Sequence, residues 1–288
     1  MVRLAVAHRA ETFDRIRGPL ADRGIDVDVV SASERVVPLA DPPFDPDRFD
    51  VGFVFPGRVM EGGVLDALLE VPWVNDRQAV LRSRNKAETL VRLEAAGLPV
   101  PETVLVSNPA DETALVDAFE RFDGPVVVKP NSATRGRGVV TVDDRDSFLG
   151  VTDYLSLLHD FRAVGDRSFL VQEFLPRATD YRVMVVDGVY VGAVERRIPD
   201  PERRAGRWKH NVHRGATAEA VSLPADLQAV AEDAAAAMDV PLLGVDLLVT
   251  DDRVVIGETN ARPTVDAESK YEEDVYDRLA RLVRETAR

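Results

Sequence analysis

Residues 126–140 read Val-Val-Val-Lys-Pro-Asn-Ser-Ala-Thr-Arg-Gly-Arg-Gly-Val-Val, and no other stretch constrains the fold as tightly. Consecutive β-branched residues argue for a strand that is apolar on both faces and therefore buried. That strand delivers Lys129 to its end, and a loop of small residues with two glycines follows before the next strand. Backbone N–H groups of such a loop can wrap phosphate oxygens closely, because little side chain stands in the way, and the lysine adds a point charge. A plain glycine-rich hairpin turn would leave the same pattern. The segment is not a Walker loop, which needs Gly-Lys followed by Ser or Thr, nor does it open a helix as a dinucleotide fingerprint does.

Upstream, apolar segments at Leu4–Ala7, Val27–Val30 and Gly52–Phe55 alternate with an amphipathic stretch at Asp14–Arg23, a β-α-β pattern with a parallel sheet. The four prolines of residues 38–47 make a loop. A helix is expected from Arg84 to Ala96, stopped by Gly97, Pro99 and Pro101. Asn108-Pro109 reads as an N-cap and first-turn proline before an apolar face of Ala114, Leu115, Ala118 and Phe119. Tyr181–Val186 and Val189–Val194 flank Asp187-Gly188, a strong hairpin signal. Leu227, Val230, Ala231, Ala234 and Met238 repeat at helical spacing, and Gly244–Val249 with Val254–Glu258 makes a second antiparallel pair. The last helix carries Glu272, Glu273 and Asp274 in its first turn and arginines in its last, which suits the helix dipole.

At 288 residues the chain can hold two or three units of roughly 100 to 150 residues each. It contains no cysteine, which removes disulfides, thiolate zinc sites, iron–sulfur clusters and thiol nucleophiles. The start lacks the long apolar stretch of a secretory signal, and no apolar run approaches the roughly 20 residues that span a bilayer, so a cytoplasmic protein without membrane contact is expected. A net charge of −14 disfavours nucleic-acid binding. Of 36 Lys and Arg residues only Lys86, Lys129, Lys209 and Lys270 are lysines. Acid excess with scarce lysine suggests a salt-adapted (halophilic) cytoplasm, while a GC-rich genome would deplete lysine equally well. Either pressure singles out a retained lysine.

Glu258 and Asn260 lie two apart on one strand, so both side chains leave the same face. A three-residue loop at Asp251–Arg253 sets Asp246 opposite Glu258, and three oxygen ligands then converge in a way that suits Mg²⁺. A two-residue loop faces Asp246 to Gly257 instead. The plainer reading, a hairpin with solvated acids, is disfavoured because Asp246 sits inside Gly-Val-Asp-Leu-Leu-Val, where an unpaired carboxylate is costly. His210 and His213 have the i, i+3 spacing of a metal pair, but no further His or Cys is placed beside them.

From about Asn75 to Pro263 these motifs occur in the order and spacing of the ATP-grasp superfamily, and the chain is most similar there to the RimK-like amino-acid (alpha-L-glutamate) ligases. Asn85-Lys86 precedes Leu93-x3-Gly97-x-Pro99-x-Pro101-x-Thr103, as the first lysine of that family does, and Lys129 matches the second ATP lysine. The resemblance implies an α/β ATP-grasp fold: an N-terminal parallel-sheet α/β domain over residues 1–82, then two antiparallel-sheet α+β domains, 83–171 and 172–288, clasping ATP. It implies that Lys86 and Lys129 contact phosphates, with a flap from Ser132 to Gly138, including Gly136, closing over them and Ser132 bonding to phosphate. Glu173 and Leu175 would offer backbone groups to adenine, and Asp180 would contact the ribose. Trp208-Lys209-His210-Asn211-Val212-His213-Arg214-Gly215 resembles the family's R-x-N-x-H-R-G segment, with Lys209 in place of the usual Arg and His210 in place of a small polar residue. Asn211 would lie near the triphosphate and Lys209 would contact it. Asp246, Glu258 and Asn260 fall on the metal positions, for Mg²⁺ or Mn²⁺ and two ions. Arg262 and Thr264 depart from the Ser and Gly common there.

Such an enzyme activates a carboxylate as an acyl phosphate, releases ADP, and lets an amine displace phosphate to form an amide or peptide bond. Arg182, Arg214 and Arg262 would hold substrate carboxylates or the tetrahedral oxyanion. The partners implied are glutamate or a similar amino acid and an acceptor with a carboxylate or amine (a small molecule, a coenzyme or a protein tail), with a homo-oligomer left open. A small-molecule kinase using the same Mg-ATP site is the alternative, and a catalytically idle nucleotide sensor is a further one.

If the acidic surface is a salt adaptation, self-repulsion dominates when screening is weak. Thermal melts should then rise strongly from low to molar KCl, and a flat response would leave codon usage as the explanation for the lysine deficit.

Overall fold

A computed structural model describes residues 1–288 except 8–10, 135, 160–164, 200, 203–205, 210–214 and 266. The first sheet is parallel, with β1 (Val2–Val6), β2 (Ile25–Val29), β3 (Val51–Phe53) and β4 (Trp73–Val74) in the order β2-β1-β3-β4. Alternation along β1 sends its apolar residues to both faces of the sheet. Leu4 and Val6 pack on one face with Phe13, Ile16 and Leu20 of α1 (Glu11–Ala21), while Ala5 and Ala7 pack on the other with Leu65 and Leu69 of α2 (Val59–Leu69).

Next come two helices where one is expected. Helix α3 (Arg77–Arg84) stops at Asn85, whose side chain accepts from the Glu88 N–H and so caps α4 (Lys86–Ala95). The second sheet is antiparallel, with β5 (Thr103–Ser107), β6 (Val126–Pro130), β7 (Val140–Val142) and β8 (Ser168–Glu173) in the order β5-β8-β6-β7. Strand β8 runs through Glu173, so the border expected at 171/172 falls inside it. Val126, Val128 and Val171 face α5 (Glu112–Glu120) and α6 (Arg145–His159), burying Leu115, Phe148 and Leu155. Helix α5 does not start at Asn108-Pro109. Asp111 caps it by accepting from the Ala114 N–H, while the Asn108 amide donates to His159 Nδ1. Ala114 is consequently exposed and Val116 joins Leu115 and Ala118 inside.

The third sheet, also antiparallel, runs β11 (Thr217–Val221), β10 (Val189–Arg197), β9 (Thr179–Val186), β12 (Leu242–Val249), β13 (Val254–Asn260) in spatial order. Asp187 and Gly188 take φ of 53° and 72°, the left-handed pair that a two-residue hairpin requires. One face of the sheet packs on α7 (Ala225–Met238) through Ala231, Ala234 and Met238. On the other face Met184, Val186 and Leu242 share a core with the first sheet and with α8 (Val275–Thr286). Glu272 and Glu273 precede α8, so Asp277 is the acid of its first turn. Asn75 clips the sheets together: its amide donates to the Leu242 and Ala261 carbonyls and its oxygen accepts from the Leu242 N–H. Among the described residues no helix is long and apolar enough to cross a membrane.

Candidate functional site

Between the second and third sheets, reaching the carboxyl edge of the first, opens a cleft of about 1520 Å³. Two lysines enter it from different elements. Lys86 is the first residue of α4, and Lys129 lies near the end of β6 on the face turned away from α5 and α6. Asn131 ties these elements together: its oxygen accepts from the Ala87 N–H (2.9 Å), and its amide donates to Asn85 Oδ1 (3.0 Å) and to Ser168 Oγ (3.1 Å). Both lysines are buried. Lys86 Nζ donates to the Ala133 carbonyl and stands 3.4 Å from a Glu258 oxygen. Lys129 Nζ donates to Gln172 Oε1 at 2.8 Å, and Gln172 in turn donates to Thr103 Oγ1. Burial pulls the Lys129 ammonium down to about 8. Glu258 opposes this, Lys86 adds to it, and Asp246 opposes it.

Facing the lysines is a ladder of alternating charge. Across β9 and β10, Asp180 pairs with Arg196, and across β9 and β12, Arg182 pairs with Asp246. Arg196 bonds to Asp180 and lies 3.0 Å from Asp246, which also accepts from Arg182 Nη2 at 2.8 Å. Burial alone would raise the Asp246 carboxyl, but Arg182 and Arg196 outweigh it and hold it below the usual range. Arg196 is likewise raised against its burial by Asp246 and Asp180. Asp180, expected on the ribose, spends its charge on Arg196, and Arg182 spends its charge on Asp246.

Asp246 does face Glu258 across β12 and β13, though not for the reason the loop length suggests. The Thr250 N–H bonds to the Arg253 carbonyl, which is the register of a two-residue loop at Asp251-Asp252 and would put Asp246 opposite Gly257. A bulge between Asp246 and Leu247 on the register map, with Gly257 as the extra residue, restores the Asp246–Glu258 pair. Asn260 lies along the same edge and its Oδ1 accepts from the Arg262 N–H. Among the described residues no three His, Cys, Asp or Glu side chains group around a metal position. A metal here would rest on two carboxylates and one amide oxygen, a hard donor set that fits Mg²⁺ with its remaining positions left to substrate oxygens.

In the β6–β7 loop, Gly136 and Gly138 have φ of 63° and 71°, and a Cβ on Gly138 would sit 2.9 Å from Pro130 Cγ, so glycine is required there. Ser132 is bonded to Asp166, whose carboxyl is lowered by Ser132 and Ser168 despite burial. The far end of the loop is held by Lys209, which donates to the Val139 carbonyl and lies over the Trp208 ring. Trp208 meets Phe174 edge-on at 5.5 Å beside Leu175. The Glu173 N–H donates to the Glu102 carbonyl, so that group is not available to a base. Asn211 and Arg214, with His210 and His213, lie outside the described residues.

Three participants escape sequence reasoning: Arg196, Gln172 and Asn131. Arg196 and Gln172 sit at ordinary strand positions, where nothing local marks them. Asn131 follows the lysine strand directly, and an amide at the end of a buried strand is a signal that a reader could use.

Residues 83–283 match the RimK-like ATP-grasp domain. Over 199 residues the chain is 32% identical to a protein named probable alpha-L-glutamate ligase from Legionella pneumophila, a match that covers 68% of this chain and 61% of that relative, less than two thirds of its length. The RimK domain protein ATP-grasp from Sphaerobacter thermophilus superposes with a TM-score of 0.70 at 25% identity, over 98% of this chain and 99% of that one. The ATP-grasp ligase PsnB, complexed with a phosphomimetic variant of its minimal precursor, Mg and ADP, superposes with a TM-score of 0.67 at 17% identity, over 100% and 99%, a likeness of fold alone.

Removing Arg196 leaves Asp180 and Asp246 buried against each other's charge. Arg196→Met should cost about 3–5 kcal/mol in urea unfolding at neutral pH. Asp246 titrates lower folded than unfolded, so the pairing stabilises above the unfolded value of about 4 and its contribution is lost as pH falls through the folded value. Wild type and variant should therefore converge in acid. A neutral-pH loss under about 1 kcal/mol would show that the ladder contributes little.

Proposed function

Because the chain belongs to the RimK-like ATP-grasp family, we propose that it is an ATP-dependent carboxylate–amine ligase, joining glutamate or a similar amino acid to an acceptor. The observation that carries this reading is the convergence of two buried lysines, Lys86 and Lys129, with two carboxylates, Asp246 and Glu258, in one cleft. No cysteine nucleophile exists to carry a thioester instead.

In this reading the substrate carboxylate attacks the γ-phosphorus of ATP, the bond to the bridging oxygen breaks, and ADP leaves. The amine then attacks the acyl carbon of the acyl phosphate, loses a proton to solvent or phosphate, and expels inorganic phosphate. Lys86 and Lys129 would contact the phosphates and offset their charge as the phosphoryl group moves. Asp246, Glu258 and Asn260 would hold Mg²⁺, in one ion or two, which supplies further neutralisation of the phosphate oxygens. Arg182 sits beside this edge, where an oxyanion on the acyl carbon would develop. The Phe174–Trp208 pair, next to Leu175, offers an apolar wall to the base. The setting proposed is the cytoplasm.

Enzyme, Mg-ATP and a panel of carboxylates with hydroxylamine should yield a hydroxamate together with ADP. Lys129→Ala should lower both by about 10²-fold or more. A phosphorylated alcohol with no hydroxamate or amide from any acid would instead identify a kinase.

Lys129 also sets a pH dependence. Its ammonium, held at about 8 in the free protein, is favoured again by a bound triphosphate. ATP affinity should therefore be flat below about pH 8 and weaken toward pH 10, by at most about tenfold per unit. Lys129→Met should remove that slope in a calorimetric titration. An unchanged slope in the variant would assign the titration to another group.

A further inference from the structure

Lys129 is the exception among the buried charges of the cleft. Lys86, Asp180 and Asp246 each have a side chain of opposite charge within 3.4 Å, whereas Lys129 is met by the neutral amide of Gln172. Direct cross-strand pairing does not supply this partner. Lys129 lies opposite Leu170 on β8 and Gln172 lies opposite Val127, so the amide reaches Nζ along the diagonal, a span that a long side chain covers. Both side chains are buried.

The orientation of the amide is fixed from behind. Thr103 lies opposite Gln172 on the edge strand β5. Its hydroxyl gives its one proton to the Pro101 carbonyl at 2.8 Å, so toward Gln172 its oxygen can only accept. It accepts from Gln172 Nε2 at 2.7 Å, which turns Oε1 to Lys129 Nζ at 2.8 Å. The flipped amide would set its NH₂ against the ammonium and its oxygen against an oxygen. A chain of donors thus runs from Lys129 through Gln172 and Thr103 to a main-chain carbonyl. An ammonium carries three N–H groups, and among the described residues Gln172 takes one of those on Lys129. A carboxylate in the same place would grip the lysine more strongly and would also neutralise it. The amide fixes the direction of the side chain and leaves its charge in place.

We propose that Gln172, oriented by Thr103 and the Pro101 carbonyl, is a positioning residue that aims Lys129 into the cleft through a neutral acceptor and so keeps the ammonium charge for the phosphate oxygens of the nucleotide. This deepens the Mg-ATP reading of the cleft and rests on it. Gln172 acts on the nucleotide through Lys129, and Thr103 acts through Gln172.

The full chain, with Mg²⁺ and neither carboxylate nor amine, is titrated calorimetrically with the β,γ-imido analogue of ATP and separately with adenosine, which brings base and ribose without phosphate. Gln172→Met removes the acceptor and should lower the preference for the analogue over adenosine about tenfold or more, the worth of a hydrogen bond to a charged group. Thr103→Val frees the amide to turn and should lower it by a smaller factor of about three. Gln172→Glu should lower it too, although the hydrogen bond is kept, because the carboxylate claims the charge. A second readout needs no nucleotide. The chain has only four lysines, so ε-¹³C-labelled lysine gives few NMR signals, and Lys129→Arg identifies the one from Lys129. In the free wild type burial sets its midpoint at about 8, with Glu258 of β13, Lys86 of α4 and Asp246 of β12 as the charged neighbours. Gln172→Glu should raise that midpoint by about one pH unit or more, and analogue affinity should then stay flat to about pH 10. Variants that weaken analogue and adenosine by the same factor would make Gln172 merely structural and overturn the proposal. So would a Lys129 midpoint that Gln172→Glu leaves in place. A wild type that prefers the analogue no more than adenosine would reject the Mg-ATP reading, and the proposal with it, before any variant is compared.

Discussion

The arrangement of the cleft follows from one electrostatic requirement: a charge buried in it needs a polar or charged partner within a few ångströms. Lys86, Lys129, Asp180 and Asp246 are each less than a tenth exposed, and an isolated charge so placed would be costly. The answer is alternation. Asp180, Arg196, Asp246 and Arg182 follow one another across three strands, and Glu258 stands against Lys86 on the next. Cross-strand register delivers this pattern, since residues directly opposite on adjacent strands bring their side chains within reach. Lys129 is answered less completely, by Gln172 and by more distant carboxylates, and its ammonium is correspondingly easier to deprotonate.

In the proposed reading such an array would receive a polyanion, because its cations are already assembled. A triphosphate entering the cleft would meet lysines oriented by helix α4 and strand β6, and the amide of Asn131 holds those two elements to each other. Preorganised charge of this kind costs little to reorient during reaction. The carboxylates of Asp246 and Glu258 are meanwhile shared with arginine and lysine, so a divalent cation would exchange places with those side chains and would not enter an empty cage. Freed from Asp246, Arg182 would become available to the reacting groups.

Much of the architecture is legible locally. The Asp187-Gly188 turn, the apolar positions of β1 and β3 and the Ala/Met face of α7 each announce an element whose burial then follows. The fold class and family membership inferred from the lysine motifs agree with the comparisons. Local signals fail where two of them compete. Asn108-Pro109 carries a strong helix-start signature, yet Asp111 wins because Asn108 is engaged by His159, fifty-one residues away. The Asp246–Glu258 pairing depends on a bulge at Gly257 that loop length alone does not report. The Glu173 N–H closes the junction with Glu102, a contact that no local signal reports.

By itself the sequence marked several of the elements, among them β6, the β9–β10 hairpin and α7, and the residue types that can do chemistry, because strand and helix periodicity and turn glycines are properties of neighbouring residues. It also fixed that Glu258 and Asn260 share a face, since two positions along a strand are geometrically equivalent. Tertiary structure alone decided who answers whom. Arg196, Gln172 and Asn131 acquire their roles from strands and helices far along the chain, and their partners are set by sheet order and by the seating of α4 against the end of β6. Charge compensation acts through space over a few ångströms, and a linear sequence does not contain those distances.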